Sequence, residues 1–140
     1  MSEHRYLIDS NIFIEAHRRY YAFNLCPGFW HSLVWLHGQD CVLSLDKVKD
    51  ELSGEGDGLD EWATNTMPAS GFAASDDQTV VEWYGKIQIW AQNQSQFTDA
   101  AKEEFAQVAD AWLIAYARAQ GLILVTHEQF NPQIKKKIPI

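Results

Sequence analysis

Four acidic side chains in this chain stand where they could act together on a charged substrate. Asp9 and Glu128 each follow a short apolar run, and Glu51 and Asp110 each lie in a segment with helical spacing. Carboxylate oxygens are hard ligands that select Mg²⁺ or Mn²⁺. Carboxylates that converge on such an ion suit metal-assisted attack of water on a phosphodiester. We therefore take these four acids as candidate metal ligands and catalytic residues.

Two of these acids have equally simple structural interpretations. Asp9 begins an Asp-Ser-Asn cluster directly after an apolar run, and such a cluster is a good cap for a following helix. Glu51 follows Lys47 by four residues, so an exposed ion pair on one helix would also explain it. The sequence alone leaves both interpretations open.

Asp110 is the most informative acid, because its surroundings are apolar on nearly every side. Residues 105–117 predict one largely buried helix, and no basic residue lies within a turn of Asp110. A buried aspartate without a cationic partner is costly unless a metal or another group compensates it. The alternatives are an exposed flank for Asp110 and a surface loop for Glu128.

Other catalytic schemes find no matching pattern. There is no GxSxG elbow, no CxxC pair and no phosphate-binding glycine loop in the sequence. His127-Glu128 is not a zinc-protease motif, because the second histidine would fall at Asn131. The remaining catalytic scheme is one in which carboxylates bind a metal ion that prefers oxygen ligands.

The elements that must position these acids alternate between strand and helix. Strands are predicted at 6–8, 41–44 and 122–125, with a weaker one at 72–74. Helices are predicted at about 11–19, 29–38, 45–52, 59–65, from 76 onward and at 100–119. Unbroken apolar strands between helices predict a three-layer α/β fold, with a central parallel sheet of 4–5 strands and helices on both faces. Residues 1–140 form a single domain in this prediction, and the end at Ile140 is abrupt for a natural terminus.

Charge and hydropathy restrict the setting. The net charge of -8 argues against a general nucleic-acid binder but allows a nuclease whose acids hold cations. Arg18, Arg19 and Lys47 are candidate phosphate contacts, although such groups are more often solvated faces. No apolar run reaches the ~20 residues that span a bilayer, and the N-terminus lacks a signal-peptide pattern. We expect a cytoplasmic protein that makes no membrane contact.

An aromatic-rich block occupies residues 20–30. Its rings could stack on nucleic-acid bases. A hydrophobic core or a subunit interface is the other use for so many aromatic side chains.

The ordered set of motifs resembles the PIN-domain ribonucleases, the family that includes VapC-type toxins. The matching segments are Tyr6-Leu7-Ile8-Asp9-Ser10-Asn11, Val48-Lys49-Asp50-Glu51-Leu52, Ala109-Asp110-Ala111-Trp112-Leu113-Ile114-Ala115-Tyr116-Ala117 and Leu124-Val125-Thr126-His127-Glu128. Together they span almost the whole chain. The aromatic block at 20–30 resembles a bacterial PIN-like branch known as a domain of unknown function.

The resemblance implies Mg²⁺- or Mn²⁺-dependent cleavage of RNA in an acidic pocket at one sheet edge. It matches Asp9, Glu51 and Asp110 to the core metal-binding acids, and Asn11 and Thr126 to polar positions that organise the site. Glu128 stands at a position where that family usually has aspartate. Whether a second metal binds therefore depends on this glutamate. The resemblance also implies a homodimer and a cognate antitoxin protein.

These observations support three hypotheses. The leading one is a metal-dependent endoribonuclease that is the toxin component of a toxin–antitoxin system. The second is a catalytically weak PIN-like module that binds RNA or a protein. The third is a DNA-directed nuclease of the same fold, because a metal cluster does not distinguish the sugar.

Overall fold

A computed structural model describes residues 4–54 and 58–127, so Glu128 and the residues after it lie outside the described part of the chain. Within that part, four short strands form one parallel sheet: β1 (Tyr6–Ile8), β2 (Val42–Leu45), β3 (Phe72–Ala73) and β4 (Ile123–Val125). The order across the sheet is β3-β2-β1-β4. Leu7 of β1 pairs with Leu43 on one side and Leu124 on the other. All four strands therefore present their carboxyl ends at the same edge.

Helices connect the strands. They are α1 (Ser10–Glu15), α2 (Pro27–Gly38), α3 (Asp46–Ser53), α4 (Leu59–Glu61), α5 (Gln78–Gln92), α6 (Asp99–Gln107) and α7 (Asp110–Gln120). π-Helical turns at Ala16–Tyr20 and Trp62–Thr66 continue α1 and α4, and a 3₁₀ turn at Ala69–Gly71 precedes β3. The predicted three-layer α/β fold is confirmed. No described helix has both the length and the apolar character that crossing a bilayer requires.

The core fixes the helix that carries Glu51. Leu7 in β1 and Leu45 in β2 are fully buried, as are Val48 and Leu52 in α3. Val48 and Leu52 are one turn apart, so they hold one face of α3 against the sheet. Glu51, directly before Leu52, is thereby placed at the rim of this core, where it is half-buried.

The predicted single helix at 100–119 is wrong. The structure divides it into α6 and α7, with Val108 in an extended conformation between them (φ -96°, ψ 171°). No glycine or proline marks the break. Instead, the backbone N–H of Ala109 donates to Oε1 of Glu51 at 3.0 Å, and α7 begins at Asp110. A tertiary contact with α3 thus overrides a continuous helical pattern.

Much of the aromatic block at residues 20–30 packs into or against the hydrophobic core. Trp30 exposes 2% of its surface and packs 4.5 Å from Phe23 and 4.9 Å from Trp62 between ring centroids. Its indole N–H donates to the carbonyl of Tyr21 at 2.6 Å. Tyr20 is exposed at the outer end of this block.

Gly121 allows the chain to turn from α7 into β4, and its replacement is expected to destabilise the protein. It follows α7 with φ 68° and ψ 38°, a left-handed conformation that costs other residues energy. We expect Gly121→Ala to lower the free energy of unfolding by about 1 kcal/mol, measured by urea denaturation. Gly85→Ala, in the middle of α5 where an added Cβ meets no atom within 4 Å, is the control and should stabilise by roughly 0.5–1 kcal/mol. Equal effects of the two substitutions would contradict this account.

Candidate active site

Asp9 is the buried acid at the centre of the site. It follows β1 directly, and its backbone N–H donates to the carbonyl of Val125 in β4 at 3.0 Å. Only 1% of its surface is exposed. Although Asp9 holds the position before α1, its side chain makes no capping hydrogen bond to that helix. The capping interpretation is therefore wrong.

Two hydroxyl groups hold the Asp9 carboxylate. Oγ1 of Thr126 donates to Oδ2 at 2.8 Å, and Oγ of Ser10 lies 3.3 Å from Oδ1. Among the described residues, no lysine or arginine forms an ion pair with Asp9. A buried carboxylate whose side-chain partners among the described residues are hydroxyls retains a large cost of removal from water, which a bound cation would offset.

Ser10 connects Asp9 to Glu51. Its Oγ lies 3.3 Å from Oδ1 of Asp9 and also 3.3 Å from Oε2 of Glu51. A serine hydroxyl has one proton, so it donates to one carboxylate at a time. The two acids therefore face each other across a single hydroxyl group. This pair is the geometric centre of the site.

A second hydrogen bond fixes the orientation of the Glu51 carboxylate. The backbone N–H of Ala109, just before α7, donates to its Oε1 at 3.0 Å. The ammonium of Lys47, one turn earlier on α3, lies over the indole ring of Trp112, 5.2 Å from its centroid. The surface ion-pair interpretation of Glu51 is thus replaced by a fixed position between Ser10 and the start of α7.

Asp110 occupies the first turn of α7, and the expectation that it lies in the middle of one continuous helix is wrong. It is half-buried and is the first residue of the helix, adjacent to Ala109. Unsatisfied N–H groups and the macrodipole make that end of a helix favourable for a carboxylate. The structure therefore brings Asp110 to the same part of the fold as Glu51 by ending α6 early.

Removing the shared hydroxyl is expected to destabilise the protein. In Ser10→Ala the two carboxylates face each other without a donor between them, so we expect a loss of about 1–3 kcal/mol in the free energy of unfolding in EDTA. Urea denaturation measures it. Ser32→Ala on α2 is the matched control, since that exposed hydroxyl only donates to a carbonyl of its own helix. A loss no larger than that of the control would contradict the bridging role of Ser10.

A cleft opens beside Glu51. It has a volume of about 380 Å³ and lies between α3 and the junction of α6 with α7. The lining residues are Lys47, Asp50, Glu51, Gln107, Val108, Ala109 and Trp112. Acidic, basic and aromatic side chains therefore share one open surface next to the buried pair.

The remaining predicted residues lie in several places. Thr126 contacts Asp9 directly, and Lys47 lies in the cleft. Asn11 is exposed on α1. Arg19 forms an exposed ion pair with Glu15 at 3.0 Å, and the neighbouring Arg18 is also exposed. Glu128 lies outside the described residues.

The described residues hold no group of three His, Cys, Asp or Glu side chains close enough to share a metal ion. The close pair is Asp9 with Glu51, joined by Ser10. Two carboxylates and two hydroxyls are an all-oxygen donor set, and such a set suits Mg²⁺ or Mn²⁺.

Three contributors to the site were missed in the sequence. Ser10 has a visible signal, its place beside Asp9, but that place by itself predicts only a helix cap. The amide of Ala109 had none, because any residue supplies a backbone N–H. Trp112, two residues after Asp110, lies on the cleft, whereas the apolar pattern around it predicts a core position.

Comparison with known proteins identifies one family. A family model described as Domain of unknown function (DUF4411) matches residues 6–140, nearly the whole chain. The chain belongs to this family. Neither the curated proteins nor the solved structures gave a match.

Proposed function

We propose that this member of the DUF4411 family is a metal-dependent endoribonuclease that hydrolyses RNA phosphodiester bonds. The observation that supports it most strongly is the buried Asp9 carboxylate, which shares the Ser10 hydroxyl with Glu51 at the carboxyl end of β1. Open α/β sheets bind their ligands at this edge. The type of reaction, hydrolysis of RNA, is proposed because the surrounding motifs resemble those of PIN-domain ribonucleases.

Mg²⁺ or Mn²⁺ is the cofactor that these residues fit. Proteins commonly hold Mg²⁺ through one or two carboxylates, and water and substrate phosphate complete its coordination. Asp9 and Glu51 are the two carboxylates in this proposal, with Asp110 and Glu128 as further ligands. When bound, the cation would supply the charge that activates water and neutralises the developing charge on the phosphodiester.

The side chains around the two acids keep them in place. Thr126 and Ser10 orient the Asp9 carboxylate, and the Ala109 amide orients Glu51. Each contact uses an O–H or N–H donor, and such contacts hold the carboxylate oxygens in a fixed direction. Lys47 is the proposed phosphate contact within the cleft. Arg18 and Arg19 are proposed to contact the RNA strand further from the site.

The biological setting follows from the resemblance to VapC-type toxins. The proposal is a cytoplasmic toxin that forms a homodimer and is held inactive by a cognate antitoxin protein. Growth arrest on expression of the wild-type protein, but not of the Asp9→Asn protein, is the expected result. Equal growth of both strains at matched protein levels would contradict the toxin role.

Cleavage of a mixed RNA pool tests the nuclease proposal. Purified protein is expected to cut RNA in Mg²⁺ or Mn²⁺ and to lose this activity in EDTA. Because water rather than the ribose 2′-hydroxyl is the proposed nucleophile, the products should contain no 2′,3′-cyclic phosphate. A matched single-stranded DNA pool distinguishes the DNA-directed alternative.

A binding module is the second candidate function. The observation that favours it is the absence, among residues 4–54 and 58–127, of a third acid close enough to complete a metal cluster. A folded protein that binds RNA but cuts none in either metal would support this candidate over the nuclease.

A further inference from the structure

An aromatic stack forms one wall of the cleft beside Glu51. Trp112 lies on α7 and Tyr84 on α5, with ring centroids 3.8 Å apart and planes inclined by 13°. The hydroxyl of Tyr84 donates to the carbonyl of Ala106 at 3.1 Å, which ties α5 to the end of α6. Trp112 is thus a rigid, half-buried ring backed by a second ring.

The other face of Trp112 carries a cation instead of packed protein. Because Tyr84 fills one face, the Lys47 ammonium, 5.2 Å from the indole centroid, occupies the opposite one. Among the described residues no carboxylate forms an ion pair with Lys47. A single cation–π contact at a half-exposed site is weak, and the lysine stem is flexible. Lys47 can therefore leave this face without breaking other described contacts.

We propose that Trp112 is a stacking platform for one unpaired base of a single-stranded RNA, next to the Asp9–Glu51 pair. The base takes the face that Lys47 covers, and the Lys47 ammonium turns to the adjoining phosphate. This inference rests on the proposed ribonuclease function and adds a residue that positions its substrate.

Binding of a nucleotide would use both the aromatic ring and the charged side chains that line this cleft. A base offers a π-face to Trp112, and its phosphate offers negative charge to Lys47. Asp50 and Glu51 also line the cleft and would repel that phosphate, so a divalent cation is needed for tight binding. In a duplex the base faces are covered by their neighbours, so a single strand is the form that can stack.

Trp83 provides a matched control. It lies on α5 with Lys86 Nζ 4.7 Å and Arg118 Cζ 5.0 Å from its ring centroid. It is therefore also a tryptophan covered by cations. It does not line the cleft beside Glu51, and it lies on a separate apolar groove with Trp90 and Phe105. If Trp112→Leu weakens RNA binding and Trp83→Leu does not, the loss is due to the position of Trp112 beside the cleft and not to the removal of a tryptophan as such.

The test is fluorescence anisotropy of a labelled 10-nucleotide single-stranded RNA and of the matching duplex. Titrations use wild type, Trp112→Leu, Trp112→Phe and Trp83→Leu in Ca²⁺, which also binds carboxylate oxygens, and a gel confirms that the RNA stays intact. Circular dichroism confirms the fold of each variant. We expect Trp112→Leu to weaken single-strand binding about tenfold, and Trp112→Phe and Trp83→Leu to retain it. Lys47→Gln should reduce the slope of the logarithm of the RNA-binding constant against the logarithm of salt concentration by about one, the value for one lost phosphate contact.

The outcomes separate the two proposals. A folded Trp112→Leu protein that binds and cuts single-stranded RNA like wild type would overturn the stacking platform and leave the nuclease intact. Equal losses in Trp112→Leu and Trp83→Leu would overturn it too, as would a preference for the duplex. Wild-type protein that binds through Trp112 but cuts no RNA in Mg²⁺ or Mn²⁺ would support the platform and overturn the nuclease.

Discussion

Asp9→Asn is expected to reduce the rate of RNA cleavage at least about a thousandfold, because a metal contributes several kcal/mol to the transition state and each 1.36 kcal/mol is a factor of ten. The substitution keeps the shape of the side chain and removes its charge. Its amide can still bond the hydroxyls of Ser10 and Thr126, which both donate and accept. The loss would therefore reflect the missing carboxylate charge. Initial rates on a defined RNA in Mn²⁺ measure the effect.

The same substitution should not destabilise the metal-free protein. Asp9 is buried without an ion pair to a described residue and faces Glu51 across one hydroxyl, so a neutral side chain relieves both burial of charge and repulsion. Asp76→Asn, the same change at an exposed position, is the control for activity and for thermal stability. An Asp9→Asn protein that cuts RNA as well as the Asp76→Asn protein would contradict the assignment of Asp9.

Divalent metal is expected to raise the melting temperature of the wild-type protein. Binding at a hundredfold excess over Kd adds about 2.7 kcal/mol, which for a chain of this size corresponds to roughly 5–10 °C. The gain arises because only the folded state brings Asp9 and Glu51 together. Differential scanning fluorimetry with Mn²⁺ against EDTA measures it.

Two variants give this prediction its specificity. Asp9→Asn and Glu51→Gln should each lose most of the metal-induced rise, while Asp76→Asn keeps it. Because RNA is absent, the measurement reports on the metal site independently of catalysis. An equal rise in all four proteins would indicate non-specific binding and would contradict the proposed site.

Much of the fold could be predicted because its signals are local. The run Tyr6–Ile8 is too short and too apolar for a surface helix, and it forms β1 at those residues. Gly121 marks the end of α7 by backbone geometry that glycine alone adopts cheaply. Helix α3 lies within one residue of its predicted bounds, since the spacing of Val48 and Leu52 fixes its buried face.

The break between α6 and α7 could not be predicted, because its cause is tertiary. Residues 105–117 read as one helix, yet Ala109 gives its N–H to Glu51, a residue 58 positions earlier in the chain. A fully buried Asp110 is expected only within such a continuous helix. Asp110 still reaches the site, but as the first residue of α7.

Part of the candidate site could be predicted, Asp9 from its position after a strand and Thr126 from the resemblance. Thr126 directly follows β4, and Asp9 directly follows β1, so parallel pairing of these neighbouring strands brings the two side chains together. The bridging position of Ser10 depends on the approach of α3 to α1, which no local pattern encodes. The stack of Tyr84 on Trp112 likewise depends on how α5 packs against α7.

The most direct test of the central claim, that a divalent cation held by Asp9 and Glu51 acts on the phosphodiester, is a phosphorothioate measurement. Wild-type protein cleaves an RNA with sulfur in place of one non-bridging oxygen at the scissile phosphate, in Mg²⁺ and in Mn²⁺. Because Mg²⁺ is the harder ion, one sulfur isomer should slow cleavage about tenfold or more in Mg²⁺, and Mn²⁺ should restore most of the rate. The same slowing in both metals, or cleavage that persists in EDTA, would contradict the account.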